Sequence, residues 1–204
     1  MGNIDLKSVS AQYMDVLKEI GNIGAGNATT ALAQLINTKI DMSVPQVSLV
    51  PFNRIADTIG SEETVLVGIL LGLEGDISGM MMFLLQEKSA HNLVNILMGN
   101  PEEKEGKFDE MEMSALSEIG NIIAGSYLSA LAGLTNMTIV ASVPSLSVDM
   151  AGALLSVPAI EYGKIGDKVL LIQTQFGEDD LVNGFFVMVP ELESYDKILS
   201  SLGI

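Results

Sequence analysis

The chain has 204 residues, with 26 Asp and Glu against 10 Lys and Arg, for a formal net charge of −16. Without a basic cluster it has nothing to displace the counterions held by nucleic-acid phosphates, and an anionic membrane surface would repel it. Cysteine is absent, which excludes disulfides and thiolate sites, and with His91 as the single histidine a zinc site would need mostly carboxylate ligands, an uncommon set.

What remains is a chain 48% apolar, enough for a sizeable core. Its acidic surface would speed encounters with a partner that carries a basic patch or an exposed lysine. The start MGNIDLKSVS lacks the basic and apolar regions of a signal peptide, and the apolar runs Val65–Leu71 and Met80–Leu85 are too short to span a bilayer. A cytoplasmic protein is the expectation, and the sequons at Asn27 and Asn136 carry little weight there.

The elements follow in chain order. A long helix is predicted over Asp5–Ile36, with Leu17, Ile20, Ile23, Ala31, Leu32 and Leu35 at helical spacings. A strand over Ile40–Val50 contains Pro45, which restricts it to an edge, a bulge or a bend. Strands over Thr64–Leu73 and Ile77–Leu85 flank the hairpin-like turn Glu74-Gly75-Asp76. A short helix over Lys88–Met98 closes the unit, and the polar run 100–107 reads as a linker. The same series then recurs: a helix over Asp109–Leu134, a strand over Ile139–Asp149 containing Pro144, strands over Lys168–Gln175 and Leu181–Val189, and a helix over Ser194–Leu202.

The recurrence is a duplication. Displaced by 99 positions, Met14–Ser48 and Met113–Ser147 are identical at 19 of 35 positions without a gap, where chance gives roughly two. The likeness continues more loosely, Val65-Leu-Val with Val169-Leu-Leu and Ile77-Ser-Gly with Val182-Asn-Gly. The segments 49–63 and 148–167 diverge most. The expected architecture is α+β: one domain over 1–204 made of two repeats, 1–99 and 108–204, related by a pseudo-two-fold, with the two long helices packed on an antiparallel sheet. Three strands per repeat make too thin a sheet for independent folding.

The two copies agree best in a polar segment. Glu19-Ile-Gly-Asn22 is repeated as Glu118-Ile-Gly-Asn121. On a helix, residues three and four apart share a face, so Asp15, Glu19 and Asn22 form one polar stripe and Ser114, Glu118 and Asn121 its twin. Ile20, Ile23 and Ile119 turn toward the core. A solvated helix face would look similar, but neighbouring exposed positions drift between the copies (Asn27 against Ser126, Thr29 against Leu128, Gln34 against Gly133) while Glu and Asn stay. Asparagine is also a mediocre helix former, so keeping it twice in mid-helix suggests a use.

Gly21-Asn-Ile-Gly24-Ala-Gly26 matches neither nucleotide-binding glycine pattern, and Gly24 becomes Ile123 in the second copy. The retained Gly21/Gly120 and Gly26/Gly125 are expected to permit close helix packing. His91 reads as a partly buried or surface histidine, Met80-Met-Met82 as core filling, and Glu178-Asp-Asp180 as a solvated turn without calcium-loop spacing.

The motif Asp15-x3-Glu19-x2-Asn22-x22-Pro45, repeated as Ser114-x3-Glu118-x2-Asn121-x22-Pro144, resembles the signature of the CheC/CheX/FliY phosphatases of bacterial chemotaxis. Both copies match it throughout. Two motifs in this length suit the CheC-type members, since CheX-like members are shorter with one motif and FliY-like members carry an added flagellar-switch domain. The resemblance implies hydrolysis of the aspartyl phosphate of the response regulator CheY, whose own site holds Mg²⁺ and a lysine; no cofactor is expected in this chain. It implies that Asn22 and Asn121 orient the attacking water and that Glu19 and Glu118 pair with the regulator's lysine. Asp15 and Ser114 would assist docking, and Pro45 and Pro144 would be structural. It also implies a second partner, the receptor deamidase CheD. The alternative is a non-catalytic module that binds a receiver or switch protein, or that regulates CheD.

Overall fold

The computed structural model describes residues 11–37, 41–99, 106–162, 168–176 and 182–202. The expected helical residues 5–10, most of the linker and the turn at 177–180 lie outside them.

The long helices form where the apolar spacing places them, α1 over Ala11–Ile36 and α4 over Glu110–Thr135. α4 starts on a capping box: Asp109 Oδ1 accepts from the Glu112 amide (2.9 Å), and Glu112 Oε2 accepts from the Asp109 amide (2.8 Å). Both helices stop at the same asparagine of the repeat. Asn37 (φ 52°) and Asn136 (φ 55°) adopt the left-handed conformation that breaks a helix and that asparagine tolerates. Of the apolar residues that follow the helical spacing in α1, Leu35 is exposed, at 55%.

The remaining elements are β1 (Met42–Pro51), a 3₁₀ turn (Phe52–Arg54), α2 (Ile55–Ile59), β2 (Val65–Gly75), β3 (Gly79–Gln86), α3 (Glu87–Met98), β4 (Ile139–Ala141), β5 (Ser145–Met150), α5 (Ala151–Tyr162), β6 (Lys168–Phe176), β7 (Val182–Pro190) and α6 (Leu192–Ser201). The strand expected over Ile139–Asp149 is therefore two. Proline donates no ladder hydrogen bond, and Pro144 occupies the gap between β4 and β5. Its counterpart Pro45 lies in β1 where the register shifts between Ser43 and Gln46.

All strands are antiparallel neighbours in one sheet of order β1-β6-β7-β3-β2-β4, with β5 also on β2. β1 pairs with β6 of the second repeat, and β5 pairs with β2 of the first. The two repeats thus exchange their leading strands, and each completes the sheet of the other. One rung crosses six strands: Val47, Ile172, Phe186, Phe83, Ile69, Leu146. Its centre is the pair Phe186–Phe83, stacked with ring centroids 4.6 Å apart, and the rung reads equivalently from either end. The pseudo-two-fold axis therefore passes through this pair, perpendicular to the sheet.

The register also corrects the sequence alignment of the hairpins. Ile69–Phe83 corresponds to Ile172–Phe186, a displacement of 103 positions. Val65 is thus not the partner of Val169: the first is 40% exposed and the second 1%. A one-residue slip in a strand exchanges its two faces.

Side chains alternate between two cores. Val67, Ile69, Phe83, Ile172 and Phe186 face α1 and α4, together with Leu93 of α3 and Ile198 of α6. Leu66, Met82, Leu84, Phe185 and Val187 face the other way, under Ile55 and Ile59 of α2 and Leu154 and Leu155 of α5. Within the divergent segments 49–63 and 148–167, α2 and α5 thus cover the second sheet face. Strands buried on both faces need such a cover. Met80-Met-Met82 is core filling, with Met81 in the first core and Met80 and Met82 in the second. His91 is buried; it donates Nε2–H to the Gly106 carbonyl (2.9 Å) and stacks on Phe108 with ring centroids 4.0 Å apart, pinning the entry to α4 against α3.

Candidate active site on the helix layer

An axis perpendicular to the sheet reverses any helix lying on the sheet, so α1 and α4 run antiparallel, side by side. Their closest approach is at Gly24, where a Cβ would stand 2.5 Å from Tyr127 Cδ1 and 3.0 Å from Tyr127 Cα. The axis relates Gly24 to Ile123 and Ala28 to Tyr127, and all but Gly24 are buried core side chains. The small pair on one helix thus faces the large pair on the other, which accounts for the change from Gly24 to Ile123. Tyr127 is held from beyond by Phe186, with ring centroids 4.7 Å apart, and by a 3.3 Å hydrogen bond with Thr174. Burial pushes its phenol up to about 12.

Gly21 and Gly120 seat the helices on the sheet, as the sequence led us to expect. A Cβ on Gly21 would lie 3.3 Å from Val44 and Val47 and 3.8 Å from Ile172; one on Gly120 would lie 2.6 Å from Ile69. Each glycine immediately precedes an asparagine of the motif, so the seating fixes the height and rotation of that asparagine. Gly26 and Gly125 do not behave as expected. Both are exposed, and a Cβ on either would meet nothing within 4 Å. The glycine that packs between helices is Gly24.

Asp15, Glu19 and Asn22 are all exposed on α1, and Ser114, Glu118 and Asn121 are all exposed on α4. Each stripe lies on the face of its helix turned away from the other helix, while the neighbouring Gly21 and Gly120 pack on the sheet. Among the described residues, no intramolecular hydrogen bond or ion pair engages these six side chains. Pro45 lies in β1 and Pro144 in the gap between β4 and β5. Gly21 sits over β1 and β6 and Gly120 over β2, three to four strands away, so these two glycines are separated by about 15–20 Å.

Each site offers a carboxylate one turn before a carboxamide on a rigid support. The carboxylate can accept from a partner's cation, and the carboxamide can both accept from and donate to a water without adding charge. Among the described residues no three His, Asp or Glu side chains come together as metal ligands would, and no helix is long and apolar enough to cross a membrane.

The family model for CheC-like proteins matches residues 13–49 and 111–148, the two motif helices with the strands that follow them. The chain is 40% identical over 202 residues to the CheY-P phosphatase CheC of Bacillus subtilis, covering 96% of each. Among solved structures, FliY of Thermotoga maritima is similar with a TM-score of 0.74 at 21% identity, covering 96% of this chain and 98% of that one. The FliM middle domain from H. pylori is similar with a TM-score of 0.67 at 11% identity, covering 95% and 99%. At such identities these two structures attest to the fold alone.

Proposed function

The chain belongs to the CheC-like family, and on that premise we propose that it hydrolyses the aspartyl phosphate of a CheY-type chemotaxis receiver. The observation that carries this reading is the pair of exposed, unengaged Glu/Asn stripes, Glu19 with Asn22 and Glu118 with Asn121, held in the same register on the two long helices. The activity of the B. subtilis relative, a CheY-P phosphatase, supports it.

An acyl phosphate is labile, so positioning a water in line with the breaking bond is the main lever. The carboxamides of Asn22 and Asn121 take that role. The water oxygen bonds to phosphorus, the bond to the aspartyl oxygen breaks, and inorganic phosphate, the free carboxylate and a proton result. A carboxylate in the same place would be repelled by the phosphoryl oxygens. Glu19 and Glu118 accept from the receiver's lysine and orient the complex; Asp15 and Ser114, a turn earlier, assist docking. Pro45 and Pro144 serve the strands below. The Mg²⁺ belongs to the receiver's own acidic pocket. The family resemblance supports a further partner, the receptor deamidase CheD.

The test is the decay of a phosphorylated CheY with and without this chain, for wild type, Asn22→Ala, Asn121→Ala and the double variant. Faster decay with wild type that is lost in the double variant is the expected result. Binding without any change in decay would sink the catalytic reading and leave a docking module.

A further inference from the structure

The two stripes share their Glu and Asn but not their charges. α1 and α4 have 26 residues each, and in a chain with 10 Lys and Arg they carry one cation between them, Lys18. It falls inside the motif, immediately before Glu19 and four residues before Asn22; the equivalent residue of the second copy is Ser117. Nothing in the fold calls for the charge. Lys18 is exposed, and among the described residues it makes no ion pair or hydrogen bond.

A second charge changes with it. Asp15 stands three residues before Lys18, and on α4 both equivalents are serines, Ser114 and Ser117. The segments Asp15–Glu19 and Ser114–Glu118 therefore have the same net charge, −1. A lysine alone beside Glu19 would weaken the attraction of that carboxylate for a partner's cation, and Asp15 offsets it. The α1 site thus keeps its attraction for a receiver's lysine and gains a mobile cation of its own.

The helix places that cation beside Asn22. Each residue turns by about 100°, so Lys18 and Asn22 stand about 40° and one turn apart on the same face. The flexible stem of a lysine is about as long as one helical turn, about 5.4 Å, so the ammonium reaches whatever the Asn22 carboxamide faces. A carboxamide suits a neutral water. An ammonium suits the charge that phosphoryl transfer spreads over the three equatorial oxygens.

We propose that Lys18 is a further catalytic residue of the site on α1, its ammonium donating to the phosphoryl oxygens of the docked receiver while Asn22 holds the water, and that the site on α4 works without such a cation. This rests on the phosphatase reading above. The contact strengthens as the bond to the aspartyl oxygen lengthens, so it acts on kcat. Removing the charge leaves Asp15 and Glu19 to attract the receiver's lysine, so binding does not weaken.

The experiment uses the full chain with Asn121→Ala, so that only the site on α1 acts. Decay of phosphorylated CheY is followed over a range of CheY concentrations to separate kcat from KM, with thermal unfolding as the control for folding. Adding Lys18→Gln should lower kcat roughly fivefold or more, the order of one charge-assisted hydrogen bond, with KM unchanged or lower and the melting temperature unchanged. Lys18→Arg should keep most of the activity. An unchanged kcat in Lys18→Gln, a loss that appears in KM instead, an arginine variant as impaired as the glutamine one, or an inactive Asn121→Ala beside an active wild type would overturn the role of Lys18 alone. Wild type without effect on decay would instead overturn the phosphatase reading on which it rests.

Discussion

Replacing Gly120 with alanine should lower stability and disable the site on α4, whereas Gly21→Ala should do little of either. The new Cβ on residue 120 would stand 2.6 Å from Ile69 Cδ1, 2.7 Å from Cγ2 and 3.1 Å from Cβ. Real Cβ atoms do not approach so closely, and Ile69 is fully buried in the central rung with little room to yield. Overpacking costs about 1–3 kcal/mol, here about 2–3 because three atoms of one fully buried side chain would be met at once, and the helix propensity gained from glycine to alanine returns about 1 kcal/mol. A net loss of about 1–2 kcal/mol corresponds to a fall in Tm of about 2–8 °C for a chain of this size. At residue 21 the nearest contacts are 3.3 Å, to the methyls of Val44 and Val47. A shift of a few tenths of an ångström relieves them, so the two terms nearly cancel. Urea and thermal unfolding followed by circular dichroism would measure both variants. A double-mutant cycle with Ile69→Ala should return a coupling of about 1–2 kcal/mol, because that substitution removes the two closest atoms. If Gly120→Ala proved as stable as wild type, or its cost were independent of residue 69, the seating of α4 on Ile69 would be wrong.

Other predictions rest on separate features. Asp109→Ala removes the side-chain half of the capping box at the start of α4 and should cost about 1 kcal/mol in urea unfolding; Asp109→Asn, which can still accept from the Glu112 amide, should recover most of it. Burial raises the Tyr127 phenol to about 12 from 10.0. Its contribution is therefore complete below pH 10 and lost as pH rises from 10 through 12, by roughly 3 kcal/mol at most. The urea midpoint of wild type should fall more steeply over that range than that of Tyr127→Phe, and parallel curves would refute it. Because β1 finds its partner only in the second repeat, the fragment 1–105 should not fold as a monomer, while mixing it with 106–204 should restore the native circular dichroism. A cooperative monomeric transition of the fragment alone would contradict the exchanged strands.

Much of the site was legible in the sequence because it lies on helices, whose faces follow from local spacing. The stripes Asp15–Glu19–Asn22 and Ser114–Glu118–Asn121, the buried Ile20 and Ile119, and the ends of both long helices need only the helical period and a left-handed asparagine. Hairpins separated by short turns were legible for a similar reason, although their register between the copies was not. Looser similarity aligned Val65 with Val169, and only burial in the sheet shows that the equivalent residue is Leu66.

Sequence alone determined the duplication, the α+β class and the two motif faces, since each is written in neighbouring residues. Tertiary structure decided which repeat completes which sheet edge. β1 could meet β2 or β6, because the two hairpins offer nearly the same edge, and no local preference distinguishes them. It decided that the divergent segments supply α2 and α5, because strands buried on both faces need a second cover. It also decided that Gly24 rather than Gly26 stands where the helices cross, because the choice depends on a large residue, Tyr127, 103 positions away. Each of these outcomes is set by burial between residues far apart in the chain, where repeated sequence gives the same local instruction twice.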